Sequence, residues 1–262
     1  MSSLVTRAQH AIGRSVLDAL ASIGQLAAMT REMARGLGEW RVWLPRMMEE
    51  SWNIGVGSLF IIIMISSFTG GVTALQAGYQ FTGNIPIYVV GSLVTESIVL
   101  ELGPVLVGLI LAGRIGARYA AELGTMRVTE QIDALESLGR SPSSHLLLPR
   151  VLACLLMIPV LVIFADAIAL VAGWIAAKSS VGISDQDFVY GARVFWRPFD
   201  AWYSLIKGFC FAGAIALISC YRGFTTQQGA EGVGRSTTGA VVFSSVVILM
   251  LDLILAQLLL KK

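Results

Sequence analysis

Residues 53 to 78 read NIGVGSLFIIIMISSFTGGVTALQAG and contain no Asp, Glu, Lys or Arg. At about 1.5 Å per residue, this run is long enough as an α-helix to cross a hydrocarbon core of about 30 Å, so it predicts a transmembrane helix. Four more apolar stretches predict further spans, at 86 to 112, 151 to 177, 201 to 221 and 237 to 260. The fold class that follows is an all-α integral membrane protein with five transmembrane helices.

The composition agrees with that fold class. The chain has 262 residues, of which 55% are hydrophobic and 14% are charged, whereas a soluble domain carries about 25% charged residues. The net charge of +2 provides no strong basic field for binding nucleic acid. We expect one membrane domain over residues 53 to 262, preceded by an N-terminal interfacial region over residues 1 to 52.

The N-terminal region has the pattern of a helix that lies on a membrane surface. Between residues 15 and 35, one helical face is apolar and the other is polar, and the apolar face consists of Val16, Leu20, Ile23 and Ala27. This pattern predicts an interfacial amphipathic helix. Three tryptophans follow it, as is typical of a membrane interface: Trp40, Trp43 and Trp52.

The distribution of arginines predicts the orientation. Six arginines precede the first span and five lie between the second and third spans, while residues 79 to 85 contain no Lys or Arg. Basic residues favour cytoplasmic loops. We therefore expect the N-terminus and residues 113 to 150 and 222 to 236 in the cytoplasm, and residues 79 to 85, residues 178 to 200 and the C-terminal tail on the opposite side.

The segment between the second and third spans, 112 to 142, reads AGRIGARYAAELGTMRVTEQIDALESLGRSP and predicts an amphipathic helix. Arg118 and Glu122 are spaced as an i,i+4 ion pair, and Gly139 and Pro142 provide a stop. One interpretation is a solvated surface helix. The other is a docking helix, which could transmit the movement of a partner into the membrane because it is joined to two spans.

Residues 229 to 236, GAEGVGRS, come within one residue of a phosphate-binding loop, with Arg235 where the motif needs lysine. That motif requires a strand before it and a βα fold, whereas apolar helices flank this segment. We therefore expect a tight turn into the fifth span and no nucleotide site. With two histidines far apart and three cysteines in apolar stretches, we predict no catalytic residues and no metal centre.

Several ionisable residues lie inside the predicted spans, where each is costly without a partner or water. Glu101 precedes Gly103-Pro104, where proline removes a helical hydrogen bond, so Glu101 is predicted to line a cavity. Asp166, Lys207 and Asp252 predict an internal polar network. A proton relay through such residues, with Glu96 included, is the alternative.

Two further patterns concern contacts of the spans. Leu75, Gln76, Tyr79 and Phe81 mix apolar and polar groups at the outer end of the first span, where a lipid tail and headgroup could both fit. Small residues recur at every fourth position in two spans and predict close helix contacts within the chain or between two copies: Gly108, Ala112, Gly116, Gly208, Ala212 and Ala216.

The stretch 101 to 139, ELGPVLVGLILAGRIGARYAAELGTMRVTEQIDALESLG, resembles the signature of the MlaE family, in the same order of motifs. Pro149-Arg150 and GAEGVGRSTTGAVV, 229 to 242, with Asp252, resemble its C-terminal pattern. Members of this family are permease subunits of lipid-transporting ABC systems that work with MCE-domain proteins.

The resemblance implies a multi-pass homodimer of the bacterial inner membrane, in which residues 113 to 139 act as the coupling helix on a separate ABC ATPase. ATP and Mg would bind to that ATPase, and this chain would hold no cofactor. An MCE-domain subunit would cap the periplasmic side, and a small cytoplasmic subunit of the STAS type is a further partner that the resemblance allows. The coupling candidates are Glu122, Arg127, Glu130, Gln131 and Asp133.

By the same resemblance, phospholipid would pass through a cavity between the two subunits. The candidates for lining it are Glu101, Leu75, Gln76, Tyr79, Phe81, Glu96 and Leu102. Two other functions fit the residues: a proton-coupled secondary carrier that uses the intramembrane carboxylates, and a membrane anchor without transport, in which Glu101 would be dispensable.

Overall fold

The computed structural model describes residues 21 to 22, 24 to 80, 86 to 227 and 229 to 260, and within them the chain forms eight helices and no strand. We number the helices in chain order: α1 (24 to 36), α2 (Trp40–Gln80), α3 (Val89–Val128), α4 (Gln131–Ser137), α5 (Ser143–Val181), α6 (Asp185–Val194), α7 (Pro198–Phe224) and α8 (Ala230–Leu259).

Five of these helices, α2, α3, α5, α7 and α8, are long and apolar enough to cross a membrane. This confirms the five predicted spans. The helices extend well beyond the predicted bounds, because α2 begins at Trp40 and α3 continues to Val128.

The continuation of α3 corrects the expected shape of the segment between the second and third spans. It is not one separate helix over 113 to 139, since α3 runs without a break to Val128 and buries Tyr119 and Leu123 in the core. The helix ends at Thr129, and Glu130 then takes a left-handed backbone conformation with φ of 58°. Only α4, after this bend, is a separate short helix.

The spans pack as a bundle in which α2 lies along α5, and α7 contacts α3, α5 and α8. The small residues of α3 make these contacts within the chain. A β-carbon at Gly108 would meet Phe211 at 3.1 Å, and one at Gly116 would meet Ser219 at 3.2 Å. Gly208 of α7 lies in the same way against Pro159 of α5, with a separation of 3.2 Å.

The described part of the N-terminal region begins with α1, which contacts the end of the bundle where α4 lies. Met33 of α1 is buried, Gly36 lies directly against Ser144, and the Tyr221 hydroxyl of α7 donates to Gln25 at 2.9 Å. Of the predicted apolar face, Val16, Leu20 and Ile23 lie outside the described residues, and Ala27 is exposed on α1. We refer below to this end of the bundle as the α4 end, and to the opposite end, where α6 packs on the start of α3, as the α6 end.

Candidate functional site

The side chain of Lys207 is completely buried between three spans. Its ammonium lies 2.8 Å from Glu101 Oε2 of α3 and 2.5 Å from Asp252 Oδ1 of α8, and it donates to the Leu100 carbonyl at 2.8 Å. The ring of Tyr203, one turn earlier on α7, lies 4.7 Å from the ammonium. We call Glu101, Lys207 and Asp252 the Lys207 cluster.

Pro104 explains why the Leu100 carbonyl is available to Lys207. In a regular α-helix this carbonyl would accept from the N–H of residue 104, and proline has no N–H. The structure has a π-helical turn here, over Ile98–Leu102. The Lys207 ammonium replaces the missing donor, so the proline and the lysine together fix Glu101 at this turn.

The Lys207 cluster is unbalanced and open on one side. It contains two carboxylates and one ammonium. The side chain of Glu101 is 53% exposed, whereas that of Asp252 is 12% exposed. The cluster therefore presents a carboxylate oxygen at the surface of a predominantly apolar span.

Asp166 belongs to a separate contact. It accepts a hydrogen bond from Ser204 at 2.9 Å and packs directly against Gly103. Ser204 lies one turn before Lys207 on α7. The Asp166–Ser204 pair and the Lys207 cluster are therefore neighbours, without a direct bond between them in the described structure. The predicted network of Asp166, Lys207 and Asp252 is thus divided, and Glu101 joins the larger part.

Sequence reasoning did not pair Glu101 with Lys207. A signal was present, because Lys207 is the only basic residue inside the five predicted spans. A single buried ammonium needs a carboxylate, and Pro104 marks where a backbone acceptor is free. The choice of Glu101 over Glu96 depends on the faces of α3, which the π-helical turn changes.

The other predicted cavity residues do not gather around Glu101. Leu75, Gln76 and Tyr79 are exposed on the outward face of α2, and Tyr79 is 85% exposed. Glu96 lines a cleft with Asp200 between the start of α3 and the segment after α6. Leu102 lines a groove between α2 and α3, and Phe81 lies outside the described residues.

A second group of charges joins α2, α3 and α5 at the α4 end of the bundle. Arg150 lies 3.1 Å from Glu122 and 3.7 Å from Glu50, while Arg118 lies 2.6 Å from Glu122 and 3.6 Å from Glu50. We call these four residues the Arg150 cluster. It has two acids and two bases, and it borders a cleft of about 230 Å³.

Arg150 is the buried centre of that cluster. Its side chain is 9% exposed, donates to the Leu146 carbonyl at 2.9 Å and lies 5.5 Å from the Tyr119 ring. The predicted Arg118–Glu122 pair is present. Glu122, one of the coupling candidates, pairs with both arginines of this cluster, and its contact with an ATPase stays a prediction.

The remaining coupling candidates lie at the bend between α3 and α4. Arg127 and Asp133 form an ion pair of 2.5 Å across the bend, and the Gln131 amide donates to the Thr129 hydroxyl at 3.0 Å. Glu130 is exposed at the bend itself, in its left-handed conformation. Such a backbone state costs a residue other than glycine about 1 to 2 kcal/mol, so the surrounding contacts must hold it.

The segment 229 to 236 is the start of a helix. Gly229 turns the chain with φ of 97°, α8 begins at Ala230, and Arg235 pairs with Glu231 at 2.6 Å along the helix. A phosphate-binding loop would instead leave its backbone N–H groups free around the phosphate.

Comparison with known proteins gives a consistent result. The family model described as Permease MlaE matches residues 47 to 258. A probable ABC transporter permease protein of Rickettsia prowazekii (strain Madrid E) is 34% identical over 258 residues, which cover 98% of this chain and 100% of that protein.

Two relatives from other groups of organisms show a similar level of identity. A probable ABC transporter permease protein of Synechocystis sp. is 36% identical over 80% of each chain. The chloroplastic protein TRIGALACTOSYLDIACYLGLYCEROL 1 of Arabidopsis thaliana is 35% identical over 85% of this chain and 63% of its own length. The extent of these matches shows that the chain belongs to the MlaE permease family, and it is a multi-pass membrane subunit of an ABC transporter.

Proposed function

We propose that this chain is the subunit that moves phospholipid in an ABC transporter of the bacterial inner membrane. It would act as a homodimer with its N-terminus in the cytoplasm, together with a separate ATPase and a periplasmic MCE-domain protein. The observation that carries the proposal is the Lys207 cluster, whose half-exposed Glu101 lies within a membrane-spanning helix.

The surroundings of Glu101 suit an amphiphilic substrate. A carboxylate held at the surface of a span needs a polar partner or water. The neighbouring outward faces are apolar, with Phe68 of α2 70% exposed and Leu253 of α8 60% exposed. A cavity between two copies of the chain would bring these faces together around Glu101, so that a headgroup meets the polar cluster and acyl chains meet the apolar faces.

The length of α3 provides a way to couple this site to an ATPase. Glu101 and Val128 lie on the same continuous helix, about 40 Å apart along its axis. The Arg127–Asp133 pair joins α4 to the end of that helix. A movement of α4 by the ATPase would therefore tilt α3 and change the surroundings of Glu101, which can change the affinity for lipid between two states.

The experiment that tests this function begins with the tagged chain purified from its native membranes. We expect an ATPase and an MCE-domain protein to purify with it, and phospholipid to be found by mass spectrometry of the extract. The purified complex in vesicles should then transfer a fluorescent phospholipid in the presence of ATP.

The main alternative is a proton-coupled carrier that uses the intramembrane carboxylates. The family membership does not favour it. In the same vesicles it predicts transfer that needs a proton gradient and continues without ATP. That result, or purification without any ATPase, would contradict the proposal.

A further inference from the structure

Arg114 is a basic residue of α3 that has no acidic partner among the described residues. It is exposed and donates a hydrogen bond to the Ser58 hydroxyl of α2. Arg118, one turn further along the same helix, is by contrast paired with Glu122 at 2.6 Å. A guanidinium has five N–H donors, so most of the hydrogen-bonding capacity of Arg114 remains for a ligand.

The lack of a side chain at Gly57 allows the Arg114 guanidinium to lie close to the backbone of α2. A β-carbon at Gly57 would be 2.8 Å from Arg114 Nη2, so a larger residue would displace the side chain. The π-helical turn over Ala112–Gly116 carries Arg114. Turns of this kind inside α-helices occur frequently at functional sites.

An apolar groove begins one helical turn from Arg114 and runs between α2 and α3. Ile62 and Ile65 of α2 line one side, and Leu102, Leu106 and Ile110 of α3 line the other. The lining on α3 extends from Ile110 to Ile98, which is about 18 Å along the helix. One leaflet of a hydrocarbon core of about 30 Å is about 15 Å thick, so the groove is about as long as one leaflet. The groove is shallow, because Ile62 and Ile98 are almost completely buried, so a lipid tail would lie against its surface.

We propose that Arg114 and this groove bind one phospholipid of the cytoplasmic leaflet, with the phosphate on the guanidinium and one acyl chain along the groove. The positive charge at one end of an apolar slot is complementary to an anionic headgroup joined to a tail. The site differs from the Lys207 cluster, which presents a carboxylate. The leaflet assigned here rests on the orientation in the proposed function, whereas the binding itself does not.

The test uses the purified complex in vesicles of phosphatidylethanolamine and phosphatidylglycerol that contain a phosphatidylglycerol with a photoactivatable acyl chain. We expect crosslinks within residues 62 to 69 and 102 to 110. Arg114→Gln should reduce them roughly fivefold, because one basic residue contributes about 1 kcal/mol to the binding of an anionic lipid. Arg114→Lys should retain part of the crosslinking, and Gly57→Leu should reduce it without removing the charge.

Arg222→Gln is the matched control. Arg222 lies near the end of α7 and stacks on Phe243 at 4.2 Å, away from the groove, so its removal should leave the crosslinks unchanged. Unchanged crosslinks in folded Arg114→Gln would overturn the proposal. So would a disulfide between two copies of an Ile110→Cys variant, since the groove would then be a dimer contact.

The same samples separate this inference from the proposed function. Glu101→Gln should abolish lipid transfer and leave the groove crosslinks in place. If the complex transfers no lipid at all but the crosslinks depend on Arg114, then the proposed function fails and the binding site remains.

Discussion

The Lys207 cluster and the Arg150 cluster solve the same problem, burial of charge between helices, in different ways. The central cation of each cluster donates to a backbone carbonyl, but the Arg150 cluster has equal numbers of acids and bases. The Lys207 cluster has an extra carboxylate, and that carboxylate is its most exposed member. A cluster with balanced charges suits a fixed joint between α2, α3 and α5. A cluster with an extra carboxylate keeps a hydrogen-bond acceptor for a ligand from outside the chain.

The comparison predicts the largest loss of stability at Lys207. Lys207→Met leaves Asp252 buried without its counter-charge, and removal of one partner from a buried pair costs about 3 to 5 kcal/mol. The measurement is the free energy of unfolding of the purified protein in detergent. The double variant Lys207→Met with Asp252→Asn removes the unpaired charge and should recover most of the loss. Equal stability of single variant and wild type would show that the pair is not formed.

The Arg150 cluster should show the next largest effect. Arg150→Met removes charged hydrogen bonds from a nearly buried site, which we expect to cost about 2 kcal/mol in the same unfolding assay. Arg118 is the control, because its side chain is 37% exposed and exposed ion pairs contribute at most about 1 kcal/mol. If Arg118→Met is as destabilising as Arg150→Met, the cluster does not act as a joint centred on Arg150.

The smallest effect on stability is expected at the bend between α3 and α4. Arg127→Asp breaks an exposed pair and should change the free energy of unfolding by less than about 1 kcal/mol, yet it should uncouple lipid transfer from ATP hydrolysis. The measurement is the ratio of lipid transferred to ATP hydrolysed by the complex.

An exchange of the two charges at the same bend distinguishes the Arg127–Asp133 pair from a direct contact of Arg127 with the ATPase. Arg127→Asp combined with Asp133→Arg restores the pair within the chain. Recovery of coupling would show that the pair acts by bracing the bend. If the double variant stays uncoupled, Arg127 contacts the ATPase directly. Unaltered coupling in Arg127→Asp alone would show that Arg127 neither braces the bend nor contacts the ATPase.

The helices were more predictable from the sequence than their ends. A span needs a long apolar run whatever it packs against, so the number of spans follows from the apolar runs along the sequence. The end of α3 does not, because residues 117 to 128 have a polar face and an apolar face and remain helical by packing Tyr119 and Leu123 on the rest of the bundle. The separation of α3 from α4 depends on the left-handed conformation of Glu130, which no sequence pattern indicated.

The members of the Lys207 cluster were predictable one by one from the sequence, but the contacts between them were not. Glu101, Lys207 and Asp252 stand out because charges are rare in spans. Their pairing depends on the π-helical turn before Pro104 and on how α3, α7 and α8 face one another, neither of which follows from spacing. In the sequence Arg114 is a positive charge near the end of a span and part of the stretch that resembles the family signature. Its contacts with Gly57 and Ser58 are given only by the structure.

The most direct test of the central claim compares one glutamate from each cluster, as Glu101→Gln and Glu122→Gln, in the purified complex. Both changes remove a charge from a partly exposed carboxylate on α3 and keep its size. We predict that Glu101→Gln abolishes ATP-dependent phospholipid transfer while the complex still assembles and hydrolyses ATP, and that Glu122→Gln retains most of the transfer. Normal transfer by Glu101→Gln would contradict the account.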